Sequence, residues 1–449
     1  MKTGQRVYEA LMRRDPEAVE ELPDEVQRNV PGNALRLVGA TALQSSGDQC
    51  VNASTVLPWL FHALGVPAAL TGLLVPIRES GSMLPQAALT PIVMRVRQRK
   101  WVFVTGALVQ AVSVACMSLV AAIGSGLVAG VLILLALAVF SVGRSLTSIS
   151  SKDVQGRTVP KGERGQINGL STTASGIVAI TLGLSLRLFG GSDLSAGQIA
   201  WLLAGGAVLW VLAAWVYATI QEPVPHASPA AEEAAKDNAH GEDGSAGWFA
   251  RSVSLLRDDQ PFRRFVIVRS LLLVSSLSPP FIVSQAVSSG AGALGGLGGF
   301  IIASGVSSLV GGPLFGRFAD RSSRTLMAAG AAVASVILVL VIVVSRLSFL
   351  DGNTTAGAIL FVGAYFLVTL VHTGVRMGRK TYVVDMARGD QRTEYVAVSN
   401  SAMGVILLIT GGVSAALATL GVDWALGFLA VLGIIGVIGA IRLPEVSLG

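Results

Sequence analysis

Arg144-Ser-Leu-Thr-Ser-Ile-Ser-Ser-Lys-Asp153, followed by Arg164, and Arg376-Met-Gly-Arg-Lys-Thr-Tyr-Val-Val-Asp385, followed by Arg392, are two renderings of one pattern. Each stands where a long apolar stretch gives way to a short basic segment. A second pair, Pro91-Ile-Val-Met-Arg95 and Pro313-Leu-Phe-Gly-Arg317, recurs at nearly the same offset. Internal duplication on this scale inside apolar runs is the mark of a membrane protein built from two pseudo-equivalent halves, an architecture suited to moving solutes across a bilayer.

Composition agrees. Of 449 residues, 52% are hydrophobic and 13% charged, where a soluble domain carries about 25% charged residues. A helix needs roughly 20 apolar residues to cross the hydrocarbon core. The apolar runs predict about twelve crossings: 36–62, 66–93, 101–123, 125–148, 166–189 and 196–220 (spans 1 to 6), then 263–288, 293–316, 325–347, 356–376, 395–418 and 423–442 (spans 7 to 12). Residues 1–35 read as a cytoplasmic tail with no apolar signal-peptide core. Residues 36–220 and 263–442 form two six-helix bundles, and 443–449 a second cytoplasmic tail. Between the bundles, 221–262 opens on Glu222-Pro-Val-Pro225 and continues through a Glu/Ala/Asp run that cannot bury a core, so it reads as a linker. Its end, with Phe249, Val253 and Leu256 at helical spacing beside Arg251 and Arg257, suits a helix on the membrane surface.

The net charge of +6 is spread over short loops and gives no nucleic-acid footprint. Arg95, Arg97, Arg99 and Lys100 follow span 2. Lys152, Arg157, Lys161 and Arg164 follow span 4. Arg317, Arg321 and Arg324 surround the end of span 8, and Arg379, Lys380, Arg388 and Arg392 follow span 10. The opposite loops carry only Arg187, Asp193, Arg346, Asp351 and Asp423 as obvious charges. This asymmetry predicts a multi-pass protein of the cell membrane with both termini cytoplasmic. Cys50 and Cys116 have no metal or disulfide spacing. No nucleotide loop, HExxH or calcium loop is present. Gly290-Ala-Gly-Ala-Leu-Gly295 matches GxGxxG only formally, for it opens an apolar span and follows no strand. No enzyme activity, cofactor or metal is expected.

Gly312-Pro-Leu-Phe-Gly316-Arg317-Phe-Ala-Asp320-Arg321-Ser-Ser-Arg324 resembles the loop 2–3 signature of the major facilitator superfamily, in its second-half position. The first-half loop, Met94-Arg-Val-Arg-Gln-Arg-Lys100, keeps the cations but has Gln98 in place of the acid. Asp153, Pro160, Arg164 and Gly165 resemble the family's loop after span 4, and the resemblance extends over about 36–442. It implies an all-α fold of two bundles around a central cavity lined by spans 1, 4, 7 and 10. A cytoplasmic gate is expected from Asp320, Arg321, Arg324, Asp153, Arg164 and Arg376, the last by its place at the end of span 10. The fuller span-4 motif of proton-driven members places its arginine well upstream of Asp153, and Arg144 is too close to serve as it.

Span 1 carries the strongest functional signal. At 100° per residue Thr41, Gln44, Ser45, Asp48, Asn52 and Thr55 share an arc of about 100°. An ionised Asp48 inside the bilayer costs roughly 2.5–3.5 kcal/mol and needs a partner, a proton or water. Span 2 places Arg78 and Glu79 between Pro76 and Pro85, with Asp48 the nearest candidate partner for Arg78. Span 10 aligns Tyr365, Thr369, His372 and Arg376, and His372 reads equally as a coupling residue or as helix packing. Span 7 adds Ser275, Ser276, Ser278 and the pair Pro279-Pro280; span 5 adds Asn168, Ser171, Thr172 and Ser175.

Gln44, Asp48, Asn52, Arg78, Glu79, Tyr365, Thr369 and His372 are thus the expected substrate or proton cavity. The expected activity is secondary transport of a small solute by alternating access, with protons as a coupling ion, by a monomer in the lipid bilayer. Export of amphipathic compounds and uptake of a small anion both stay open at this point. A non-transporting membrane sensor or assembly factor is the alternative from another class, against which the intramembrane charges speak.

Overall fold

Apolar runs in a bilayer satisfy their backbone only as helices or closed barrels, and every regular element among the described residues is an α-helix. The computed structural model describes residues 27–189, 194–223, 254–290, 296–346, 354–386 and 391–446. Among the described residues, eight helical segments are long and apolar enough to cross a membrane: Arg99–Ile123, Gly126–Thr158, Ala196–Ala218, Gln260–Ser288, Ser323–Val344, Thr355–Val383, Val398–Ala418 and Val422–Ile441. Spans 5 and 8 have shorter apolar cores, Thr173–Leu188 and Leu297–Gly312, inside the helices Lys161–Phe189 and Leu297–Arg321. Outward-facing side chains such as Trp201 and Ile123, each 81% exposed, form the apolar surface that lipid covers.

Three crossings are broken. Span 1 starts at Val30, six residues before its apolar run, and stops at Cys50; a second helix, Val56–Ala63, completes it. The break has a local cause: the Asn52 side-chain oxygen accepts the Ser54 amide at 2.8 Å, and the Asn52 carbonyl accepts the Leu57 amide at 3.0 Å. That turn competes with the helical ladder. It ends the continuous polar face expected over span 1 before Asn52 and Thr55, so only Thr41 to Asp48 keep that phase. Span 2 runs as Ala68–Thr71, Leu74–Met83 and Pro85–Met94. Span 7 runs as Gln260–Leu271, Val274–Leu277 and Pro279–Ser288, its last piece beginning at the double proline.

Spans 4 and 10 are longer than their apolar runs, as helices Gly126–Thr158 and Thr355–Met386. Hydropathy marks where hydrocarbon ends, whereas the helical hydrogen-bond ladder continues through the charged residues beyond it. Nine residues along a helix is about 900° of rotation and 13.5 Å of rise, so Arg144 and Asp153 lie on opposite faces at different depths.

Span 1 begins beside the end of span 6: the Asn33 side chain donates to the Gln221 carbonyl and accepts from its amide, both at 2.9 Å. We call this the tail side. The two halves meet through spans 2 and 11, spans 5 and 8, and the second piece of span 1 against the last piece of span 7. The contacts are close. A Cβ on Gly183 would lie 2.7 Å from the Gly298 carbonyl, and one on Gly411 would collide with the Pro76 ring. Most of this seam lies in the half of the molecule remote from the tail side. Where it reaches mid-depth, the Ser80 hydroxyl donates to the Gly404 carbonyl at 2.7 Å.

Candidate functional site

Asp48 sits three positions before the break in span 1, facing spans 2 and 4. One oxygen accepts from Arg78 at 3.0 Å, and both accept from Arg144 at 2.6 Å. The three side chains are 16%, 12% and 31% exposed, respectively, so water screens the attraction only in part. Two guanidinium groups on one carboxylate leave an excess positive charge. Glu79, half-buried and the residue after Arg78 on span 2's helix, lies within electrostatic reach of Arg144 and of Arg379 in the other bundle. It makes no ion pair within 4 Å among the described residues. The N-terminal interior therefore holds one locked carboxylate, one unlocked carboxylate and two arginines, a balanced set when both acids are ionised.

Gln44 is half-buried on the same helix as Asp48, and Asn52 serves the turn. In the C-terminal bundle, the expected cavity residues of span 10 are mostly engaged in packing. Tyr365 is 1% exposed and meets Phe300 edge-on. Thr369 bonds the Ser307 hydroxyl at 3.0 Å and its own helix's carbonyls. His372 Nδ1 lies 3.2 Å from the Ser275 hydroxyl of span 7. This contact joins spans 7 and 10 at the short helical piece before the double proline.

Three arginines complete the interior that sequence reasoning did not place in it. Arg144 lies too close to Asp153 to match the span-4 motif of the family it resembles, yet an arginine in the apolar run of span 4 is itself a signal. Arg269 of span 7 donates to the Ser399 hydroxyl at 2.7 Å and to Asn400 Oδ1 at 2.8 Å. Among the described residues, Arg379 of span 10 donates only to the Met403 sulfur, at 3.7 Å. Its position past the predicted end of span 10 made it look like a loop cation. Arg376, three residues before it, is exposed.

On the tail side, charge ties helix ends together. Asp153 pairs with Arg99 at 2.9 Å and with Arg157 at 3.0 Å. Glu222, at the end of span 6, accepts the Arg99 and Lys100 amides at 3.0 and 2.9 Å and pairs with Arg157 at 3.4 Å. A carboxylate at a helix N-terminus meets unpaired amides and the positive end of the helix dipole. Gln98 begins that helix without a side-chain cap; the acid that its loop lacks is supplied by Glu222. The second half repeats the device: Glu445, after span 12, accepts from Ser322 at 2.6 Å and pairs with Arg324 at 3.5 Å, at the start of span 9. Arg321 is exposed. The side chains of Asp320 and Arg164, expected in the gate, lie outside the described residues.

Two helical bundles with charged side chains in their interior, joined along a seam and broken at spans 1, 2 and 7, have the architecture of a polytopic membrane carrier. The family model for the Major Facilitator Superfamily matches residues 37–372. The chain belongs to that superfamily. No curated protein sequence matches it. Among solved structures, the nucleoside transporter NupG is similar with a TM-score of 0.68 at 14% identity, over 91% of this chain and 99% of that one. A D-xylose-proton symporter gives 0.68 at 12% identity, over 92% and 98%. A POT family transporter in complex with a thioalcohol-conjugated peptide gives 0.66 at 13%, over 94% and 98%. At these identities the likeness is one of fold.

Proposed function

We propose that this chain is a secondary active transporter that moves a small solute across the cell membrane by alternating access, with Glu79 as the residue through which protons couple to transport. The observation that carries the reading is the division of labour between two interior carboxylates. Asp48 is held by Arg78 and Arg144, so its charge is committed to joining spans 1, 2 and 4. Among the described residues Glu79 has no such partner, and it lies within electrostatic reach of Arg144 of one bundle and Arg379 of the other. A carboxylate between two moving bodies feels a different set of cations in each state, and that difference is what links proton binding to conformation. The superfamily membership and the proton symporter among the structural relatives support the reading. The tail side is read as cytoplasmic from the loop cations, and the seam remote from it corresponds to a carrier open toward the cytoplasm.

The test is uptake of a panel of labelled solutes into proteoliposomes, with and without an imposed pH gradient. A gradient-driven flux should appear for one solute class, and Glu79→Gln should abolish the response to the gradient while leaving exchange of solute for solute intact. Flux with an unchanged pH response in Glu79→Gln would refute the coupling role, and no flux for any solute would refute transport.

A further inference from the structure

We infer that Arg269 and Arg379 form an anion-binding site in the C-terminal bundle, and that the transported solute carries one or two negative charges on a carboxylate or phosphate group that docks there. The inference rests on the transport reading and names the substrate class.

Arg269 and Arg379 are 8% and 5% exposed. They come from spans 7 and 10 and converge on one turn of span 11, since Ser399, Asn400 and Met403 are four residues or fewer apart on that helix. Their guanidinium groups are close enough to act on one another. No carboxylate lies within 4 Å of either among the described residues. Buried charges are normally paired; here the neighbours are a hydroxyl, an amide oxygen and a thioether. The hydroxyl and amide occupy two arms of Arg269, its Nε is buried without an acceptor, and a thioether is a weak acceptor for Arg379. Donors are left over and acceptors are missing.

The wider interior shows the same imbalance. Asp48 is committed to Arg78 and Arg144, and Glu79, which acts on Arg379 only from a distance, cannot neutralise both remaining arginines among the described residues. Arg376, about one turn deeper than Arg379 on the same face of span 10, is exposed, and at the tail-side mouth Lys380 of span 10 and Lys152 of span 4 act on one another. Lysines at the mouth beside a buried, unneutralised pair concentrate anions and guide them inward. A planar carboxylate or a phosphate offers two oxygens in the geometry that guanidinium forks accept. Glu79 acts on Arg379 from the other bundle, so an arriving anion and an ionised Glu79 compete for that arginine.

The experiment is thermal unfolding of the purified full-length chain in detergent with sodium succinate, sodium phosphate or D-xylose, each at ionic strength matched with sodium chloride. Succinate or phosphate should raise the midpoint with a saturating dose dependence, and xylose should not. Arg379→Gln should weaken that dependence at least tenfold while the anion-free protein unfolds no earlier than the parent, because the substitution removes an unpaired buried charge. Arg379→Lys should retain part of it. Where Arg269→Gln does not fold, Arg379→Gln carries the test alone. Failure of both anions to act beyond chloride, or an effect that survives in Arg379→Gln, overturns the site. Uptake of an uncharged solute that is indifferent to Arg379→Gln would overturn the substrate class while leaving transport standing.

Discussion

At the scale of single residues, Asp48 illustrates why a buried ion pair is a commitment. Removing one member of such a pair costs about 3–5 kcal/mol because the partners are left charged and unmatched. Asp48→Asn should therefore lower the thermal midpoint sharply, and adding Arg144→Gln should restore part of the loss by removing one orphaned cation. A double-mutant cycle measured by thermal unfolding checks this. Additive losses would mean that the two side chains do not stabilise one another. The sequence made Asp48, Arg78 and Glu79 visible, since charge inside an apolar run is conspicuous, and Asp48 was named there as the nearest partner for Arg78. Which carboxylate is locked was invisible, because it depends on Arg144, which lies 96 positions away and meets Asp48 only in the folded bundle. Arg269 and Arg379 escaped notice for a related reason: each sits near the end of a predicted span, where an arginine looks like a topology signal.

At the scale of elements, the ends and breaks of helices are where composition is a poor guide. Apolar runs located the crossings, but spans 4 and 10 extend past them, and span 1 is interrupted by a turn that a hydropathy profile treats as more helix. The tail-side carboxylates are a second case. Glu222 opens what composition reads as a linker, yet its side chain caps the start of span 3 and reaches Arg157 of span 4. Glu222→Ala should cost about 1–2 kcal/mol, in the range of a lost helix cap, and should increase hydrogen exchange of the Arg99 and Lys100 amides. Unchanged protection of those amides would show that the cap is idle. Gly411 makes the corresponding argument for the seam. Any Cβ there collides with Pro76, so Gly411→Ala should force spans 2 and 11 apart. A cysteine introduced at the buried Ala415 on the same helix should then react faster with a water-soluble maleimide. An unaltered rate would show that the seam adapts without parting.

For the whole molecule, the two-half architecture was legible from the repeated Arg–Asp patterns, and the superfamily from the loop between spans 8 and 9. Sidedness rests on loop charge and is open to direct test. Arg97, in the loop after span 2, and Arg346, at the end of span 9 and 71% exposed, belong to opposite ends of the bundle. Single cysteines at these positions, in a chain lacking Cys116, should be labelled by an impermeant reagent from opposite sides of the membrane. Labelling of both from one side would reject the arrangement.

The seam is crossed, among the described contacts, by apolar side chains, glycine backbones and the single hydrogen bond from Ser80. No ion pair spans it there. At the opposite end the bundles confront each other with lysines 152 and 380. Dissolved electrolyte shortens the reach of exposed charges, from about 30 Å at 0.01 M to about 8 Å at physiological strength, and leaves van der Waals contact untouched. Added salt should thus ease closure of the lysine-lined mouth without strengthening or weakening the seam. The carrier's conformational balance should respond to ionic strength in one direction only, away from the form open at the tail side.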